Sequence, residues 1–118
     1  MLKEDWVLGQ VNSFVRMLKK LLKKDDDEIL KDIENNDGFY KLYQEIMGLV
    51  DKKEINKAED LIFDYIEENK EYSLVAIEFY SRINRFSDSE LKNCDFSREE
   101  IYEGILDVSK ILGYNLKF

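Results

Sequence analysis

An all-α fold, with antiparallel helix pairs preceded by a long amphipathic N-terminal helix, is what this sequence predicts. Three observations carry the prediction. Among 118 residues there is no proline and only five glycines, so little interrupts a helix. Apolar side chains recur at spacings of three and four, which puts them on one helical face. Capping residues stand at the breaks between those runs. With 44% hydrophobic residues the chain is expected to be globular, and its length suits a single domain over residues 1–118.

The first helix is expected from Lys3 to Lys24. Val7, Val11, Phe14, Leu18 and Leu21 follow a heptad-like seam. Leu8, Val15 and Leu22 widen it on one side, Trp6 and Met17 on the other. The apolar arc covers roughly 200°, where a surface helix shows about 100°. A helix that wide touches more than one neighbour. Either it is wedged among the helices of its own domain, or one flank meets another molecule. Arg16, Lys19, Lys20 and Lys23 fill the opposite face, and the terminal lysines complement the helix dipole.

Residues 25–113 read as an acidic helical body. Asp25, Asp26, Asp27 and Glu28 open a second helix, about Asp26 to Asn35. Asn35-Asn36-Asp37-Gly38 is a stop signal, with Gly38 expected in the left-handed conformation. From Phe39 to Asn69 two amphipathic helices follow, joined by a charged turn. The first turns Leu42, Ile46, Leu49 and Val50 inward, the second Ile55, Ala58, Leu61, Ile62, Tyr65 and Ile66. Small Ala58 lets the two backbones approach near the turn. A fifth helix is expected over Glu71–Arg85, burying Leu74, Val75, Ile77, Phe79, Tyr80 and Ile83 to different degrees. Ser87…Glu90 and Ser97…Glu100 have capping-box spacing and open a short turn, Asp88–Asn93, and a last helix ending at Gly113. Gly48 and Gly104 lie inside helices, where each costs about 1 kcal/mol relative to Ala, and close helix contacts are the expected compensation. Tyr114–Phe118 is a tail whose Leu116 and Phe118 are expected to pack back.

Charge narrows the possible partners. The net charge is −8, which argues against nucleic acid as a ligand. Residues 1–24 nevertheless carry six basic side chains against two acidic ones. A basic amphipathic helix can lie on an anionic membrane, but the acidic body would be repelled from that surface. No run of about 18 apolar residues exists to span a bilayer. Cys94 is the single cysteine, so no internal disulfide forms and a reducing cytosol is expected. Its acidic neighbour Asp95 favours an inert, buried thiol. The start, MLKEDW, does not read as a secretory signal, and the Lys-, Ile- and Asn-rich composition suggests an AT-rich bacterial source.

The chain holds no histidine, which removes the commonest general base and the usual transition-metal ligand. No Gly-rich phosphate loop is present. A calcium loop starting at Asp25 would place Leu30 where glycine is required. Glu99 and Glu103 share a helical face, but nothing predicts their burial. No metal or cofactor is therefore implied, and no catalytic residue is assigned. Tyr40, Tyr43, Tyr65, Tyr72, Tyr80 and Tyr102 read mainly as core-edge residues. The functional alternative is a peptide groove lined by Tyr43, Tyr65 and Tyr72, with Glu67, Glu68 and Glu71 favouring a basic partner.

Leu49-Val50-Asp51-Lys52-Lys53-Glu54-Ile55-Asn56-Lys57-Ala58-Glu59 resembles the turn of a tetratricopeptide repeat, with Ala58 at the small position and Ile62 and Ile66 at later core positions. Lys53 stands where that family has glycine, Glu45-Ile46 replaces its Leu-Gly pair, and Lys70 replaces its closing proline. The resemblance implies a right-handed, tetratricopeptide-like stack of helix pairs. The whole chain is also similar to a family of small uncharacterised helical proteins from Gram-positive bacteria. That likeness rests on Asp5-Trp6-Val7-Leu8, on Asn56 to Phe63, and on Phe96-Ser97-Arg98-Glu99-Glu100-Ile101 with Gly104; it implies a fold and no activity. The combined expectation is a cytoplasmic protein–protein interaction module that forms a homodimer. Trp6, Val7, Val11, Phe14, Leu18, Leu21, Tyr43, Tyr65 and Tyr72 are its candidate contact residues. A carboxylate-dependent enzyme, or an acidic regulator competing for a nucleic-acid-binding partner, is the alternative.

Overall fold

The computed structural model describes the backbone of residues 2–114 and the side chains of residues 6–114. Among the described residues there are seven α-helices and one 3-10 turn, and no strand. The helices are α1 (Leu2–Leu22), α2 (Asp26–Glu34), α3 (Asp37–Asp51), α4 (Ile55–Glu68), α5 (Ser73–Ile83), α6 (Asp88–Asn93) and α7 (Arg98–Ile111), with the 3-10 turn at Lys70–Tyr72 before α5. The expected tail contacts of Leu116 and Phe118 lie outside the described residues.

Helix α5 is the hub. Val75, Ala76, Ile77, Phe79, Tyr80 and Ile83 expose none of their surface. A helix apolar on nearly every side must be surrounded, and α5 packs against α1, α2, α3, α4 and α7. Tyr80, expected among the buried residues of this helix and at the edge of the core, is wholly interior. Around this hub α3 and α4 form the central pair, with Ala58 fully buried beside their turn.

The wide apolar arc of α1 is explained by two neighbours, α7 and α5. Val7, Val11, Phe14, Val15 and Leu18 are all buried. Phe14 stacks on Tyr102 early in α7 and Trp6 meets the same ring at a tilt, while Leu22 shares an apolar cleft with Leu112 just past its end. The two helices therefore run in the same direction. Within the chain, α1 is wedged.

Four of the seven helix ends, those of α1, α3, α6 and α7, follow one device. At Lys23, Lys53, Asp95 and Gly113 the backbone enters the left-handed region, with φ of 57°, 64°, 55° and 89°. Each of these residues donates its N–H three positions back and the next residue donates five back, for example Lys53 to Val50 and Glu54 to Leu49 at 2.9 Å each. This pairing satisfies the free carbonyls at a helix end. Only one of the four positions is glycine, although a left-handed L-residue costs roughly 1 kcal/mol or more.

Two glycines depart from expectation. Gly38 is helical rather than left-handed, because Asn36 accepts the Phe39 N–H at 3.0 Å and so starts α3 two residues earlier. Gly48 has no neighbour within 4 Å of where a Cβ would stand, so no close contact compensates it. Gly104 does meet the expectation: a Cβ there would lie 2.1 Å from the Tyr80 hydroxyl oxygen. The Asp25–Glu28 and Ser87–Glu90 capping boxes form in full, whereas at Ser97 only the cap bond from the Glu100 N–H is made and the Glu100 carboxylate meets the Ser97 hydroxyl instead.

Candidate functional site

On α1 the structure separates the candidate contact residues into two sets. Val7, Val11, Phe14 and Leu18 belong to the monomer's own core. Trp6 is 56% exposed and Leu21 44% exposed, with Met17 half-buried between them on the same flank. The Trp6 indole is 6.3 Å from the Tyr102 ring, which stacks on Phe14 at 5.3 Å. The core side of Trp6 is thus held by an aromatic ladder while more than half of its surface meets water. An amphipathic indole of this kind supplies large contact area at little entropic cost.

Tyr43, Tyr65 and Tyr72 are not brought together as one groove. Tyr65 and Tyr72 meet edge to face at 5.1 Å, and Phe39 closes on Tyr72 at 5.0 Å, so these rings pack on one another. Tyr43 stands apart and its hydroxyl accepts from Arg82 at 3.4 Å. Glu67, Glu68 and Glu71 are exposed.

A cluster that sequence reasoning missed lies between α4 and α7. Glu59, Asp60, Glu100, Glu103 and Asp107 line a cleft of about 250 Å³ over Gly104. Behind Gly104 the buried Tyr80 donates its hydroxyl to Glu59 Oε2 at 2.5 Å. Burial holds the Glu59 carboxyl above the usual carboxylate range, against the opposing Tyr80 hydrogen bond; Glu100, Asp60 and Asp107 push it the same way. Burial also raises Glu100, and both burial and the Glu59 charge keep the Tyr80 phenol protonated. Of the pair expected from helical spacing, Glu103 joins this cleft and Glu99 does not. Gly104, mid-helix with Glu100 and Asp107 a turn to either side, is the signal that marked this face.

Arg98 is a second unforeseen feature. It is only 6% exposed, and its guanidinium donates to Asp88 at 3.1 Å, to the Asn84 carbonyl at 3.0 Å, to Asn84 Oδ1 at 3.2 Å and to the Phe86 carbonyl. Those acceptors offset the cost of burying a charge and lock the turn between α5 and α6 to the start of α7. The acidic run at Asp25 is used locally. Asp25 caps α2, and Asp26 pairs with Lys19. Cys94 is buried at the end of α6. Among the described residues no helix is long and apolar enough to cross a membrane.

Neither a curated protein nor a solved structure matches this chain. A family model does match it over residues 1–113, nearly its whole length and all seven helices. The protein belongs to the family of unknown function designated DUF6483.

Proposed function

We propose that this chain is a non-enzymatic interaction module that self-associates through the outer flank of α1, in a reducing cytosolic setting where Cys94 stays a thiol. The observation that carries the reading is Trp6, more than half exposed yet seated on the Tyr102–Phe14 ladder. A large exposed aromatic on a rigid base is the usual anchor of a protein interface. Leu21 extends the same flank along the helix. The tetratricopeptide-like stack belongs to this proposal as well; the α3–α4 pair, with Ala58 fully buried near its turn, is its support.

Light-scattering mass tests the reading. The wild-type chain is expected to be a dimer at tens of micromolar. Trp6→Ser should weaken the dimer by about tenfold or more, as loss of an interface anchor does, with an unchanged helical circular dichroism spectrum. A wild-type chain that stays monomeric across that range overturns self-association.

A further inference from the structure

On the other side of α1 from Trp6, a cleft of about 330 Å³ opens against α5. Asn12, Arg16 and Lys19 line it from α1, and Ser81, Asn84 and Arg85 from α5 and its end. The chain has four arginines, of which Arg98 is spent on the buried clamp. Two of the remaining three, Arg16 and Arg85, converge on this cleft. Two carboxylates lie close by: Asp26, paired with Lys19, and half-buried Glu78, which faces Arg82, Lys19 and Arg85. Arg16, Lys19, Arg82 and Arg85 outnumber them, in a protein whose overall charge is −8.

The neutral groups are oriented the same way. A guanidinium has donors only, so Arg98 fixes the Asn84 side-chain oxygen toward itself at 3.2 Å. The Asn84 amide nitrogen then faces Asn12 and donates to its Oδ1 at 2.9 Å. That engages Asn12 Oδ1 inward and leaves the Asn12 N–H groups free to point outward. Ser81 Oγ is buried in the wall of the cleft and makes no hydrogen bond. A mid-helix serine ordinarily satisfies itself on a carbonyl one turn back. This one is left with a hydroxyl to give.

We propose that this cleft binds a phosphate-type oxyanion, with Arg16 and Arg85 as the charged clamp, the Asn12 amide donating to it and the Ser81 hydroxyl rotating about χ1 out of the wall to do the same. Arginine forks match phosphate oxygens in pairs. The volume lies at the small end of ligand sites, about 300–1,000 Å³, which suits a phosphomonoester or diphosphate with a modest organic body. The phosphate can belong to a free metabolite or to a lipid headgroup. Asn84 and Arg98 act as positioning residues, setting the polarity of Asn12 without touching the ligand. The site is independent of the α1 flank proposed for self-association.

The test is a titration of the full chain with inorganic pyrophosphate, followed by amide and side-chain NMR shifts, with acetate as control. Saturable shifts at Asn12, Ser81 and Arg85, with a Kd below about 1 mM, are expected. Exposed Arg85→Gln should weaken binding by about tenfold or more, and Ser81→Ala by a smaller factor of about three to five. Lys20→Gln, outside the cleft, should leave it unchanged. Equal weakening by Lys20→Gln and Arg85→Gln would mean diffuse charge attraction and overturn the site, as would no saturable shift by about 10 mM. Vesicles containing phosphatidic acid separate the two sources. Recruitment that pyrophosphate reverses and Arg85→Gln abolishes assigns the phosphate to a headgroup; indifference to vesicles assigns it to a free ligand.

Discussion

Between α4 and α7 the walls are five carboxylates over a phenol. Between α1 and α5 they are two guanidiniums, an ammonium, a buried hydroxyl and two amides. Consecutive residues of α5 reach the two: Tyr80 meets Glu59 and Gly104 behind the first, and Ser81 lines the second. Tyr80 has a donor that Glu59 takes up, so that phenol is satisfied and pressed against Gly104. Ser81 has a donor with no acceptor supplied by the chain. One seam is complete in itself, and its surplus is acceptors. The other is incomplete, and its surplus is donors. The overall acidity of the sequence conceals this division, because net charge averages over faces.

Forcing the complete seam apart should have the largest effect. Gly104→Ala drives a methyl group to 2.1 Å from the Tyr80 oxygen and 2.3 Å from its ring carbon. Tyr80 has no exposed surface and cannot swing away. A loss of about 3 kcal/mol is expected, read as a fall of roughly 10 °C or more in thermal unfolding. A melting temperature within a degree or two of wild type would mean that Tyr80 and Gly104 are not in contact.

A smaller effect sharpens the electrostatic half of the comparison. Glu59, Glu78 and Glu100 all have raised carboxyl pKa values, chiefly from burial. For a group raised in the folded state, the folded chain binds more protons than the unfolded one across the window from the ordinary carboxylate value upward. Stability from these groups is full below that window and is lost as pH rises through it. Glu90 is lowered by its bonds to Ser87 and contributes in the opposite sense. Thermal unfolding should therefore occur at a higher temperature at about pH 5 than at about pH 8. Glu59→Gln, which keeps an acceptor for Tyr80, should narrow that difference.

The smallest effect is the control. Gly48 sits in α3 with nothing near its missing Cβ. Gly48→Ala should stabilise the protein by about 0.5–1 kcal/mol, opposite in sign to Gly104→Ala. Two mid-helix glycines would then differ only in what stands against them.

What was legible in the sequence was local. The Ser87–Glu90 box forms because cap and partner are three residues apart, and at Ser97 the same spacing delivers the cap bond although the reciprocal bond is not made. The seam of α1 was legible because its period is a property of one helix, although the period alone left open what would cover it. Gly38 was misread because Asn-Asn-Asp-Gly can end one helix or begin the next, and the Asn36 cap decides for the second. Lys23, Lys53 and Asp95 take the left-handed position without the glycine that normally announces it. The acidic cleft joins residues about forty positions apart, Glu59 and Glu100, and the Arg98 clamp reaches back to Asn84. No spacing rule within one helix contains either.

The seating of α1 on α7 also sets an order of events at the ribosome. Until Arg98–Ile111 has emerged, the long first helix lacks the partner it packs on most, and α5 covers only part of its greasy seam. A nascent chain paused in the α6 region would therefore present Phe14, Leu18 and their neighbours to solvent. Pairings between the two ends of a sequence are slow to close, and an uncovered seam invites association with other chains. The fold is thus completed only once α7 has been made, and a truncation before α7 should leave a chain that depends on chaperones.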